Sequence, residues 1–162
     1  MNKATDAGGT PLLVACEMGK VDVVQVLLDD PRVEVNKPTK IGETPLYLAC
    51  GGGYDVVQVL LNDLRVEVNK STEIGATPLY IACQIGKVDV VQVLLNDPRV
   101  EIEQATNEGA TPLEIAWRNR HNEIARYLKK IRKWPPLNDM STEAILTSLF
   151  SRNGAPQGDR AG

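Results

Sequence analysis

Residues 44–61 read TPLYLACGGGYDVVQVLL. The glycines at its centre, Gly51, Gly52 and Gly53, fit two incompatible readings: a loop that cradles a phosphate, or an irregularity in something built by repetition. A phosphate loop of the Walker kind needs a strand before it, Lys-Ser/Thr after it and a helix N-terminus facing the anion. Here Tyr54-Asp55 follows instead. The rest of the chain decides the matter, because TPL recurs at 10–12, 44–46, 77–79 and 111–113, at steps of 34, 33 and 34 residues. A period of this size marks a stacked array. Against EMGKVDVV at 17–24 and QIGKVDVV at 84–91, the stretch GGGYDVV at 51–57 is the same phrase one residue short, with Gly53 standing for Gly19 and Gly86.

Working outward from TPL, each unit specifies two short helices. Thr10, Thr44, Thr77 and Thr111 occupy N-cap positions, and the proline that follows suits a first helical turn, where its missing N–H has no partner in any case. A second helix follows in VDVVQVLL, where apolar residues at 23, 24, 26, 27 and 28 form a wide face and only Gln25, Gln58 and Gln92 are clearly solvated. Asp22, Asp55, Asp89 and Glu123 fall in its first turn, where a negative charge complements the helix dipole. A loop, DPRVEVN in the first unit, then leads to a turn around Gly8, Gly42, Gly75 and Gly109. Helix pairs this short cannot bury their apolar faces alone, so the predicted architecture is an all-α solenoid stabilised by stacking.

The period, the T-P-L-x-x-A phrase, the VVQVLL helix and the VN-containing loop together resemble the ankyrin repeat, a β-turn finger followed by two antiparallel helices. The resemblance covers residues 1–134, in units at about 2–35, 36–68, 69–102 and 103–134. It departs from the family at the histidine that usually follows T-P-L, replaced here by Leu13, Tyr47, Tyr80 and Glu114. Thr111-x-x-Glu114 is itself a capping box. Beyond Trp134, Pro135 and Pro136 end the pattern. A helix over 141–151, capped by Asp139 or Ser141, would carry Ile145, Leu146, Leu149 and Phe150 on one side, and a disordered end would follow. Two roles are open to that helix: covering the last unit, or entering a groove on a partner.

Composition bounds the function. The 162 residues, 43% of them apolar, suffice for one aliphatic core, and the net charge of −3 does not suit a general polyanion binder. The opening MNKATDAGGT lacks an apolar signal core and no apolar run spans a bilayer, which predicts a cytosolic or nuclear protein. Cys16, Cys50 and Cys83 fall at one position of successive units, with Trp117 in the fourth. Stacked helices stand roughly 8–10 Å apart, whereas a disulfide needs Cα atoms within about 7 Å. They read as small buried apolar residues rather than a disulfide or metal site. His121 aligns with Lys20 and Lys87 in the turn between helices and has no nucleophile or second base beside it. No catalytic residue, metal or cofactor is predicted.

Function must then lie on surfaces. Two sets of positions vary between otherwise matching units: the turn tips, Asp6, Ala7 and Gly9, Lys40, Ile41 and Glu43, Glu73, Ile74 and Ala76, Asn107, Glu108 and Ala110; and the first-helix ends, Glu17 and Met18, Gly51 and Gly52, Gln84 and Ile85, Arg118 and Asn119. The ankyrin resemblance implies that these line a concave groove that binds a protein or peptide, which makes the chain a non-catalytic, monomeric scaffold. Met18, Ile41, Ile74 and Ile85 would form its apolar centre, with Glu17, Glu43 and Arg118 at the rim. Gly51 and Gly52 would leave a gap in it. The same resemblance marks Asn36 and Asn69, each in LLxDxRVEVN, as candidate sites of asparaginyl hydroxylation. A second binding surface is open to the basic residues Arg126, Lys129, Lys130, Arg132 and Lys133. Residues 103–134 hold seven Lys+Arg against four Asp+Glu, a net of +3, while residues 1–35 hold three against six, a net of −3. That polarity reads either as a solvated terminal cap or as a docking patch for an acidic protein, nucleic acid or membrane surface. Nucleic acid fits the overall charge poorly. The first unit shows no such polar cap, so its outer face is either covered by a further unit or an exposed apolar end.

Overall fold

In each unit a threonine opens the first helix by replacing the hydrogen-bond partner that the helix start lacks. The computed structural model describes residues 9–132, the side chain of Arg132 excepted. Eight helices fill them: α1 (Pro11–Glu17), α2 (Val21–Leu28), α3 (Pro45–Gly52), α4 (Tyr54–Leu61), α5 (Pro78–Ile85), α6 (Val88–Leu95), α7 (Pro112–Arg118) and α8 (Asn122–Arg132). The Oγ1 atoms of Thr10, Thr44, Thr77 and Thr111 accept from the backbone N–H of Leu13, Tyr47, Tyr80 and Glu114 at 3.1–3.3 Å. Thr111 and Glu114 complete the expected capping box, with the Thr111 N–H donating to the Glu114 carboxylate at 2.8 Å. Three of the four threonines are buried, so each cap also removes a polar group from an otherwise apolar wall.

The helices pack in two rows, α1, α3, α5 and α7 in one and α2, α4 and α6 in the other, and among the described residues there is no strand. Between the rows runs one aliphatic core in which Leu12, Leu46, Leu79, Val57, Val91, Leu60, Leu94, Ile124 and Leu128 are fully buried. Leu13 and Tyr80, at the family's histidine position, are also buried, and Tyr47 partly so. Residues up to Leu128 form one compact unit, and Lys129 begins a second, described only through the last residues of α8. The expected helix over 141–151 and the tail beyond it lie outside the described residues, as do Asp6, Ala7, Gly8 and Lys133.

The turn between the two helices of a unit explains the short step. Gly19 and Gly86 hold left-handed backbone at φ 67° and 81°, and Arg120, the matching residue of the fourth unit, does so at φ 63°. Only glycine adopts that region at no steric cost. Lys20 and Lys87 then lead into α2 and α6. In the second unit Gly53 alone, at φ 151° and ψ 163°, both ends α3 and starts α4. Gly53 thus takes the places of both the turn glycine and the turn lysine, without the left-handed backbone of Gly19 and Gly86.

One expectation fails in the first unit. The VDVVQVLL face was expected to leave only its glutamine in water, yet Val23 is 49% exposed where its counterpart Val56 is 1% exposed, and Val26 is exposed as well. The apolar pattern of this helix is completed only by a neighbour on its outer side. For α4 and α6 that neighbour is the preceding unit, and no described residue supplies it for α2.

Candidate functional site

The variable turn tips sit on small hairpin-like fingers held by local bonds. Thr39, Thr72 and Thr106 each donate their backbone N–H to the carbonyl four residues on, at 2.9–3.0 Å, and accept from Gly42, Gly75 and Gly109. Neighbouring fingers are bonded to one another: Glu73 N–H donates to the Ile41 carbonyl at 3.2 Å and Asn107 N–H to the Ile74 carbonyl at 3.0 Å. The Asn107 side chain adds a bond to the Glu73 carbonyl at 2.8 Å. So close a stack requires Gly42 and Gly75, where a Cβ atom would lie 2.9 Å and 2.7 Å from the backbone nitrogen of the next finger. The fingers thus form one continuous backbone-bonded edge, and their tips have a fixed spacing.

On that edge Ile41 and Ile74 occupy neighbouring, matching positions with 57% and 66% of their surface in water. At the ends of the first helices, Met18 is 62% and Ile85 41% exposed. Glu17, Lys40, Glu73, Gln84, Glu108 and Arg118 are exposed as well, while Glu43 is half-buried beside the Thr39 hydroxyl. Asn119 is already engaged, since its amide donates to the Gln84 carbonyl at 2.8 Å. A ring nitrogen of His121 lies 3.1 Å from the same carbonyl, and the ring fills the space a side chain at Gly86 would need. His121 therefore joins the third unit to the fourth.

The two helical glycines differ. A Cβ atom at Gly51 would meet nothing within 4 Å, whereas one at Gly52 would sit 2.5 Å from the Cys16 carbonyl oxygen and 3.2 Å from that of Glu17. Gly51 is the gap the sequence suggests. Gly52 is instead a contact point, where the backbone of α3 lies against the end of α1 with no room for a side chain.

Asn36 and Asn69 bridge consecutive loops. Asn36 donates to the Arg65 carbonyl at 2.7 Å and accepts from Glu67 N–H at 2.8 Å, and Asn69 makes the same pair with Arg99 and Glu101 at 2.7 Å and 2.9 Å. A second device, missed in the sequence, is the D-x-R triplet. Asp63 and Asp97 grip Arg65 and Arg99 at 2.6 Å, which aims each guanidinium at the last carbonyls of the preceding unit's second helix. Arg65 reaches the Leu28 carbonyl and Arg99 the Leu61 carbonyl, each at 2.8 Å, supplying partners that a helix C-terminus lacks. The guanidiniums hold the Asp63 and Asp97 carboxyls below the usual carboxylate range, and Arg32 holds Asp30 down to about 2. The recurrence of Asp-x-Arg at one fixed place in three units was the available signal.

Cys16, Cys50 and Cys83 are free and fully buried, and burial pushes the Cys16 and Cys83 thiols up to about 12 and Cys50 higher still. Trp117, at the same repeat position, is exposed instead, because no described helix stacks beyond α7. Arg126, Lys129 and Lys130 are exposed on α8, while the Arg132 side chain and Lys133 lie outside the described residues. Among the described residues no group of His, Cys, Asp and Glu could hold a metal ion, and no helix is long and apolar enough to cross a membrane.

A family model described as ankyrin repeats (3 copies) matches residues 1–72 and 64–134. A poly [ADP-ribose] polymerase tankyrase of Caenorhabditis elegans is 40% identical over 57 residues, which is 33% of this chain and 2% of the relative. The chain thus spans a small fraction of that protein, and the similarity carries nothing of its polymerase activity. Stacked helix pairs, bonded fingers and a matching family model over more than half of the sequence agree: this chain belongs to the ankyrin-repeat family, whose repeats are generally non-catalytic protein-interaction modules.

Proposed function

We propose that the chain is a binding scaffold that takes a protein or peptide partner along the groove between its fingers and its first-helix ends. The observation that carries this reading is the pair Ile41 and Ile74, two large aliphatic side chains more than half exposed on adjacent, backbone-bonded fingers. Neither contributes to the repeat core, and Met18 and Ile85 add two more apolar side chains at the helix ends. An apolar centre with acidic and polar neighbours matches the anatomy of a protein interface. The rigidity of the ladder lowers the entropy lost on binding. Reduced, buried cysteines suit a cytosolic or nuclear setting.

The test is a double substitution, Ile41→Asp with Ile74→Asp, compared with the unaltered protein in affinity capture from lysate and in circular dichroism. Partners should be lost with helical content and melting unchanged. Retained capture, or loss of the fold, would refute the assignment.

A second reading rests on the exposed Arg126, Lys129 and Lys130 of α8. An acidic partner held there would bind with a steep salt dependence. Binding that is indifferent to salt between about 50 and 200 mM would exclude it. Hydroxylation at Asn36 or Asn69 would have to act on a locally opened chain, because both amides are engaged across the joint.

A further inference from the structure

The three loops that follow the second helices are nearly identical, and two of their departures from one another fall in one place. The C-cap residue of the second helix is Asn62 in the second unit and Asn96 in the third, but Asp29 in the first. The centre of the D-x-R triplet is Pro31 in the first unit and Pro98 in the third, but Leu64 in the second. Both exceptional residues line a single cleft of about 460 Å³ between α2 and α4, with Leu28, Val59, Asp63 and Arg65 also in its wall. It is a shallow depression, wide open to solvent. It is formed by the second-helix row, whereas the fingers and first-helix ends form the groove.

The chemistry of the cleft is lopsided. Leu64 is 87% exposed, the most exposed of the large hydrophobic side chains of the described residues, and Leu28 and Val59 give the wall further apolar surface. The Asp63 carboxylate is taken by Arg65, and the Arg65 guanidinium is taken in turn by Asp63 and by the Leu28 and Pro31 carbonyls. Asp29 has no ion pair among the described residues. It also stands at the C-terminal end of α2, where a negative charge opposes the helix dipole and a cation is favoured. One charge is thus left over, and it is negative.

We propose that this cleft is a second docking site, which takes a basic segment of a partner protein by setting an aliphatic side chain against Leu64 and a Lys or Arg beside Asp29. The site is independent of the groove. A partner could occupy both, since they draw on different helix rows.

The experiment uses the full chain, labelled with nitrogen-15, titrated with acetyl-Lys-Leu-Lys-Leu-Lys-amide and with the same peptide carrying Glu for Lys. Saturable shifts are expected at the amides of Asp29, Asn62 and Leu64 with the lysine peptide only. Leu64→Pro and Asp29→Asn, which install the residues of the sister units and so leave the fold intact, should each weaken that response by about five-fold or more. An equal response to both peptides, shifts centred on Ile41 and Ile74, or unchanged affinity in both variants would overturn the proposal. So would a concentration-dependent oligomer of the protein alone that Leu64→Pro dissolves, since the occupant would then be a second copy of this chain.

Discussion

The joint between the first two units and the joint between the second and third are built from almost the same residues but do not close in the same way. At the later joint, α5 ends in Gln84 and Ile85, Gly86 and Lys87 form the turn, and the side chain of Ile85 points partly to water. At the earlier one the turn is a single glycine, and Gly52 brings the backbone of α3 against the Cys16 carbonyl, while a cleft remains between α2 and α4. One missing residue in a turn thus coincides with a tight contact on one row and an opening on the other.

The sharpest way to break this comparison is Gly52→Ala. The new Cβ would meet backbone rather than a side chain that can turn away, so a loss of about 3 kcal/mol is expected, at the upper end of overpacking costs. Urea unfolding would show it as a lower midpoint, and an unchanged midpoint would mean the two units are not in close contact there. Next in size is the arginine series. Arg99→Ala should cost about 2 kcal/mol, the scale of a hydrogen bond from a charged donor. Arg65→Ala should cost somewhat less, and Arg32→Ala, whose side chain is 81% exposed, little. Equal losses in all three would show that the clamps do not act across the joints.

A smaller effect of the same clamps should appear in acid. Because the folded carboxyls of Asp63 and Asp97 titrate below their unfolded counterparts, their contribution is fully present above about pH 4 and is lost as pH falls through the folded values. Asp63→Asn with Asp97→Asn should therefore flatten the fall of the melting temperature below about pH 4. A slope equal to that of the parent would exclude the clamps as its source. The smallest effect, and of opposite sign, is expected at Gly51→Ala, a gain of about 0.5–1 kcal/mol, since the site is open and helical. In the parent, amides of Gly51–Gly53 should exchange with deuterium faster than those of Gln84–Gly86. The reverse order would show that the paired glycines do not loosen the end of α3.

Much of this was legible in the residues. The threonine caps, the helix pairs, the three buried cysteines and the glycine turns follow from local rules repeated every 33 or 34 residues, and repetition removes the ambiguity that a single copy would leave. The candidate groove was legible as variation between units, and Ile41, Ile74, Met18 and Ile85 do stand exposed. The bond from the Asn119 amide to the Gln84 carbonyl was not legible, because nothing in its own unit reveals a partner 35 residues earlier. Trp117 and Val23 show the same gap from the other side: each sits at a position that is buried elsewhere in the chain and is exposed here for want of a neighbour.

The sequence by itself determined the unit, its helices and their order, because caps, turns and apolar periodicity act within a few residues of one another. Only the tertiary structure decided what each unit does to the next. Whether Gly52 is a gap or a contact, whether Arg65 is a surface charge or a helix cap, and whether Leu64 faces a cleft all depend on atoms about one repeat away. Those distances are set by how rigid neighbours close-pack, which no local pattern records.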